Sequence, residues 1–353
     1  MKKSKHIVIL TILVVSLIAV TGILSGCGKS SNKATLNIYN WGDYIDETVL
    51  RDFEKKYNIK LNYDTFSTNE DMYVKVKSGG STYDVLFPSD YMIKRMIEED
   101  MLAKIDLNNI PNYKYIDDQF KNLEYDPNNE YSVPYMWGTV GILYNKKMVK
   151  EPVDSWRILW DKKYEDQILM LDSQRDSIGI TLKMLGYSLN SSNEKELDEA
   201  KKALIEQKPL VLAYVVDEVK DKMIAEEAAM AVVWSGDAVY CMKENPDLDY
   251  AIPKEGTNLW FDDIVISKNT QHKKEAELFI NYLCDPEISF KNTDYIGYST
   301  PIPDARKKLD PKIANSDVAY PDIKSLPDSE IFTNLGKMLK VYDRIWTEVK
   351  SSH

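Results

Sequence analysis

The chain is expected to fold as an α/β protein, and three observations lead there. Strand-length apolar segments alternate with helix-length amphipathic ones through the first half. Those strands run straight into short turns that hold aromatics and carboxylates. The 353 residues, 44% hydrophobic and 29% charged, have a globular composition and enough length for two domains.

In chain order, Leu36, Ile38 and Asn40 alternate with Asn37 and Tyr39 as in a strand, which enters the turn Trp41-Gly42-Asp43-Tyr44. Ile45 to Tyr57 follows as a helix with Val49, Leu50, Phe53 and Tyr57 on one face. Ile59 to Tyr63 reads as strand and Asn69 to Lys77 as helix, closed by Ser78-Gly79-Gly80. Tyr83 to Phe87 is a buried strand ending at Pro88-Ser89-Asp90-Tyr91, before a helix over Met92 to Asp100. Ser89 or Asp90 can cap that helix; capping suits Asp90 better, leaving Ser89 and Tyr91 freer to face a cleft. Tyr131 to Tyr144 is one long β-rich run, read as a crossing between lobes. Leu159 to Tyr164 and Ile168 to Leu171 restart the pattern. The stretch Ser173 to Asp176 then precedes a helix over Ser177 to Tyr187, with Asp176 suited equally to cap and ligand. Glu194 to Glu206 reads as a solvated helix, Ala228 to Val233 as a strand and Tyr250 to Pro253 as a short one. Leu259 to Ile266 is a further strand and Lys273 to Leu283 an amphipathic helix. A last helix is expected over Ile331 to Val349.

Open α/β sheets bind ligands at the carboxyl ends of their strands. Four such ends are expected to pair an aromatic with an acid: Trp41 and Tyr44 with Asp43, Tyr91 with Asp90, Trp234 with Asp237, and Trp260 with Asp262 or Asp263. Ring faces attract organic cations and carboxylates pair with them. Packing alone does not readily account for four coincidences, so these residues are expected to share one apolar-walled, acid-ended cleft.

Net charge narrows the partners. The formal charge is −11, and setting aside Lys2, Lys3 and Lys5 of the leader leaves −14 on residues 27 to 353. Such acidity argues against nucleic acid and suits a cationic ligand. The three cysteines, Cys27, Cys241 and Cys284, form neither a disulfide framework nor a CxxC metal motif. Of three histidines only His272 lies inside the body of the chain, which leaves little for histidine-based catalysis or a histidine metal site.

Residues 1–26 combine basic Met1 to Lys5 with the apolar run Ile7 to Leu24, as a signal peptide does. Leu24-Ser25-Gly26-Cys27 resembles the lipobox of bacterial lipoproteins. Cys27 is therefore expected to carry the lipid, with 27–33 as a tether and the protein held on the outer face of the cell membrane. NAD and ATP do not circulate there, and no cofactor is expected.

The segments IYNWGDY, FPSDY, YSVPYMWGTVGILYN, VVWSGDA, LWFDDIVI and YIGYSTP together resemble the spermidine/putrescine-binding proteins of bacterial polyamine ABC transporters, from about Leu36 to the C-terminal helix. The resemblance implies a two-lobed periplasmic-binding-protein-like fold of type II, with three crossings and a ligand cleft between lobes that close by hinge bending. The lobes would comprise 34–141 with 261–306, and 142–260 with 307–353. It also implies a monomer that delivers a polyamine to a membrane permease and its ATPase. The family's aromatic walls fall on Trp41, Tyr44, Tyr91, Trp234, Trp260 and Tyr298, and its polar positions on Asp43, Ser89, Asp176 and Asp262. Asp237 stands where putrescine-preferring members tend to carry an acid. Where the spermidine-type pattern has a second acid and a glutamine, this chain has Ser173 and Phe332, and Gly42 replaces a hydroxyl residue. The amine preference is thus left open.

Two other classes share these features. A glycosidase would stack sugar on the tryptophans between paired carboxylates, and turnover would reveal it. A structural surface lipoprotein would bind no small ligand and show no ligand-induced rise in melting temperature.

Overall fold

In the computed structural model, residues 33–79 and 82–352 are described, and Ala34 onward forms one compact unit. The expected leader, Cys27 and the tether up to residue 32 lie outside the described residues. Strand β1, Thr35–Trp41, buries Leu36, Ile38 and Asn40 as the alternation requires. It pairs in parallel with β2, Lys60–Phe66, and β3, Val85–Leu86. Helix α1, Glu47–Tyr57, starts two residues later than expected. The Asp46 carboxylate accepts the Thr48 N–H at 2.8 Å and sets the start there, a cap of about 1 kcal/mol. Helix α2, Asn69–Lys77, falls on its expected residues, with Thr68 as cap.

Asp90 departs from its expected role. It lies inside helix α3, Asp90–Glu98, where it is buried and accepts the Tyr91 N–H at 2.6 Å and the Phe261 N–H at 3.1 Å. It therefore ties the helix to the strand beside it instead of capping. Ser89 occupies the cap position but makes no side-chain capping bond.

Strand β4, Ser132–Asn145, is the long crossing. From Ser132 to Thr139 it pairs antiparallel with β9, Leu259–Ile266. From Val140 onward it pairs with β7, Met230–Trp234, and with β8, Leu248–Ala251. The register shifts at Pro134, a residue with no N–H to offer a ladder. With β5, Ile168–Leu171, and β6, Val211–Val215, nine strands among the described residues form one sheet in the order β2-β1-β3-β9-β4-β7-β5-β6, and β8 on β4.

Helix α4, Gln174–Leu185, follows β5, and α5, Glu194–Gln207, buries Leu197, Ala200 and Leu204 against it. The solvated helix expected here therefore has a packed face. Between β6 and β8 lie the short α6, Val219–Ile224, and α7, Ser235–Glu244. After β9 come α8, Lys273–Leu283, and α9, Pro286–Ile296. The last helix, α10, spans Leu339–Ser351 and does not reach back to Ile331 as expected. The reason is long-range. Arg175 donates to the Thr333 carbonyl at 3.2 Å, and Asn190 donates to Ile331 O and accepts from Thr333 N, both at 2.8 Å. Backbone groups engaged in this way are not free for helical bonds.

Candidate functional site

All eleven residues expected to face a cleft line one, of about 850 Å³ counted to its open mouth. Four loops at the carboxyl ends of parallel strands build most of it. β1 delivers Trp41, Asp43 and Tyr44; β3 delivers Ser89 and Tyr91; β5 delivers Ser173, Arg175 and Asp176; β7 delivers Trp234 and Asp237. The fourth expected strand end is not one. Trp260 and Asp262 lie within β9, and alternation along that strand turns both toward the cleft. Tyr298 enters just after α9 and Phe332 from the segment before α10.

The aromatic walls are held from behind. The Trp41 indole N–H donates to Phe87 O at 2.8 Å, and its ring packs on Phe66 at 4.5 Å. Tyr44 meets Tyr298 edge-on at 5.2 Å, and Trp260 lies 5.6 Å from Tyr298. Tyr91 meets the edge of Phe332 at 5.9 Å. The Trp260 indole packs against β4 at residue 138 because that residue is glycine: a Cβ there would stand 2.6 Å from the indole Cζ2.

Three buried acids supply the polarity. Asp262 accepts the Tyr44 hydroxyl at 2.7 Å. Burial pushes its carboxyl up to about 7, against bonds from Ser89 and Tyr44, with the nearby Asp176 adding to the rise. Asp176 is pushed up to about 6 by burial, partly offset by the Ser173 hydroxyl, which donates to its Oδ2 at 2.6 Å, and by the Arg175 charge. Asp176 thus stands in the first turn of α4, which Ser173 caps, and at the same time in the cleft wall. Asp237, in the first turn of α7, is pushed up to about 6 by burial, which the Lys220 charge and the Tyr298 hydroxyl oppose. Among the described residues Asp176 Oδ1, Asp262 Oδ1 and Asn258 Oδ1 are buried acceptors with no donor in the protein. Unmatched buried acceptors are costly, by about 1–3 kcal/mol each, unless something brings donors to them. Asp263, the alternative to Asp262, is turned away from the cleft and accepts the Tyr125 hydroxyl at 3.1 Å. Asp43 stands exposed at the mouth, with Lys220 Nζ 2.8 Å from its Oδ2.

Several wall residues were not singled out from the sequence. Glu70 sits in the first turn of α2, where an acid reads as helix-dipole compensation. Its carboxyl is raised by burial and lowered by Arg175, and it accepts the Tyr91 hydroxyl at 3.1 Å. Asp217 and Lys220 lie on the segment from β6 into α6, and Asn258 just before β9. Arg175 is 2% exposed, with its guanidinium carbon 4.3 Å from the Phe332 ring centre and 4.7 Å from that of Tyr91.

An acid-lined, aromatic-walled cleft with unmatched acceptors, at strand ends of an α/β sheet, defines a solute-binding protein. Residues 48–322 match the bacterial extracellular solute-binding protein family, and the chain belongs to it. The spermidine/putrescine-binding periplasmic protein of Salmonella typhimurium is 33% identical over 324 residues, covering 91% of this chain and 93% of that protein. The putrescine-binding periplasmic protein SpuD of Pseudomonas aeruginosa is 31% identical, covering 95% of this chain and 98% of its own. The solved spermidine/putrescine ABC transporter substrate-binding protein PotD of Streptococcus pneumoniae is 39% identical with a TM-score of 0.76, covering 90% of this chain and 99% of that one. The fold is accordingly the two-lobed solute-binding fold.

Proposed function

We propose that this chain is the extracytoplasmic binding component of an ABC importer that captures spermidine, putrescine or both and hands them to a membrane permease served by an ATPase. The observation that carries the reading is the set of buried, donor-less carboxylate oxygens of Asp176 and Asp262 in a cleft walled by Trp41, Trp234, Trp260 and Tyr298. An ammonium brings three donors and a positive charge to such oxygens. Methylenes between ammonium groups bury against the rings, and each ring under a cation adds about 0.5–2 kcal/mol. The names of the relatives agree with this ligand class. Asp43, Tyr44, Ser89, Tyr91 and Asp237 complete the proposed contact set. The Tyr44 hydroxyl orients Asp262, and Asp237 serves the end of the cleft nearer Lys220.

The proposed lobes are 34–141 with 261–306, and 142–260 with 307–353; the exchange of β4 from β9 to β7 and β8 beyond Thr139 supports a boundary near there. We further propose a monomer anchored through a lipid on Cys27. In Cys27→Ser the protein should leave the membrane fraction, and retention there would sink the anchor.

The main test is calorimetric titration of the protein, stripped of bound amine by unfolding and refolding, with putrescine and spermidine separately. Heat with either amine is expected, and Asp262→Ala should weaken binding at least tenfold, roughly the worth of one buried charge-assisted bond. No heat with either amine overturns the ligand class; unchanged binding in Asp262→Ala overturns the site.

A further inference from the structure

The cleft already holds an ammonium of its own. Lys220, on α6, keeps its side chain 16% exposed and its Nζ 2.8 Å from Asp43 Oδ2. Asp217 joins the same group because residue 42 has no side chain; a Cβ there would stand 2.5 Å from Asp217 Oδ2. Asp237 is the third acid. Burial disfavours the charged Lys220, yet Asp237, Asp43 and Asp217 together hold its pKa above the ordinary lysine value. At one end of the cleft the protein thus supplies a cation of its own, ion-paired with Asp43 and within electrostatic reach of Asp217 and Asp237, which line the same cleft. The pair also bridges the sheet, since Asp43 follows β1 on the β9 side and Lys220 follows β6 on the β7 side.

The other cation in the wall is committed differently. Arg175 stacks on Phe332, donates to Thr333 O and Asn190 Oδ1, and props the wall. Lys220 is the one whose partners are those a guest ammonium would use. Two ammonium groups brought to that end of the cleft repel each other and compete for the same oxygens.

We propose that Lys220 is a specificity-determining residue: its ammonium occupies the cation position at the Asp43, Asp217 and Asp237 end and lowers by one the number of ammonium groups the cleft accepts. The cleft thereby favours a diamine over a triamine. This deepens the polyamine reading and rests on it.

The test titrates putrescine, with two ammonium groups, and spermidine, with three, into the amine-stripped full chain in detergent. Wild type is compared with Lys220→Met, Lys220→Gln and Lys220→Arg, each checked for a cooperative thermal transition. In Lys220→Met and Lys220→Gln the affinity for spermidine relative to putrescine should rise by roughly tenfold, and in Lys220→Arg the ratio should stay within about threefold of wild type. An unchanged ratio in both neutral variants overturns the proposal. So does equal weakening of both amines, which would make the Lys220–Asp43 pair a general clasp between the two sides. Wild type binding neither amine is a separate failure, that of the polyamine reading itself, and the proposal falls with it.

Discussion

Asp262 and Asp263 are neighbours on one strand, 6% and 0% exposed, and burial pushes both carboxyls up to about 7. Each takes a tyrosine hydroxyl, Tyr44 on one face and Tyr125 on the other, and each keeps one oxygen without a donor in the protein. By burial, titration and bonding they are nearly twins. What separates them is the face of β9, since Asp262 lines the cleft and Asp263 does not. Strained electrostatics therefore marks both residues, and only their position relative to the cleft separates them.

Exchanging the two roles is the sharpest way to break this contrast. Asp262→Asn should weaken amine binding by at least roughly tenfold, because a neutral amide cannot balance a buried ammonium. Asp263→Asn should leave binding within about twofold. Equal losses in calorimetric titration would mean that the faces are not functionally distinct.

The next largest effect is on pH. Ammonium pairing needs Asp262 ionised, so a proton must leave its carboxyl when the guest arrives below about pH 7. Lowering the pH from 7.5 to 5.5 should raise the Kd by roughly tenfold or more. Titrations in buffers of different ionisation heat should show proton release near pH 6, and a pH-independent Kd would contradict it.

Stability of the ligand-free protein should run the opposite way in pH and involve both twins. Their folded-state values lie above the ordinary carboxylate value, so the native state holds extra protons between about pH 4 and 7. Their stabilising contribution is full on the acid side and is lost as the pH rises through about 7, at up to about 1.4 kcal/mol per unit for each group. The melting temperature should therefore fall between pH 5 and pH 8, and Asp263→Asn should flatten part of that slope; an unaltered slope in thermal scans would clear Asp263 of the effect. Small too is the effect of Asp43→Asn. At 66% side-chain exposure its pair with Lys220 is screened, and amine affinity should change by no more than about threefold.

The same contrast shows what the sequence could disclose. Helix α2, strand β9 and helix α8 fall on the residues expected for them, α8 by its amphipathic periodicity, β9 as a short apolar run and α2 from the signals at its ends. Within LWFDDIVI, however, every residue is buried, so nothing in the pattern tells which aspartate faces the cleft; the register against β4 decides it. The aromatic-acid pairs led to eight wall residues, and the family resemblance added Ser89, Asp176 and Tyr298, but Glu70, Asp217 and Lys220 were passed over. Asp90 looked like a cap locally, and only the Phe261 N–H, 171 positions away, shows its use. The shortened α10 has the same cause, since its first expected residues are held by Arg175 and Asn190 from far earlier in the chain.

Gly138 carries a consequence for how such a cleft can diversify. The indole of Trp260 rests directly on the backbone of β4, so its depth is set by main chain and not by a replaceable side chain. Any substitution at 138 meets the ring, and any shift of the ring disturbs a strand shared by both sides of the sheet. The floor is thus nearly closed to gradual variation. Phe332, Ser173 and Lys220 line the cleft from outside the strands, so a substitution there would alter its charge or bulk and leave the sheet as it is. A lineage built on this chain would inherit its floor unchanged and explore its ends.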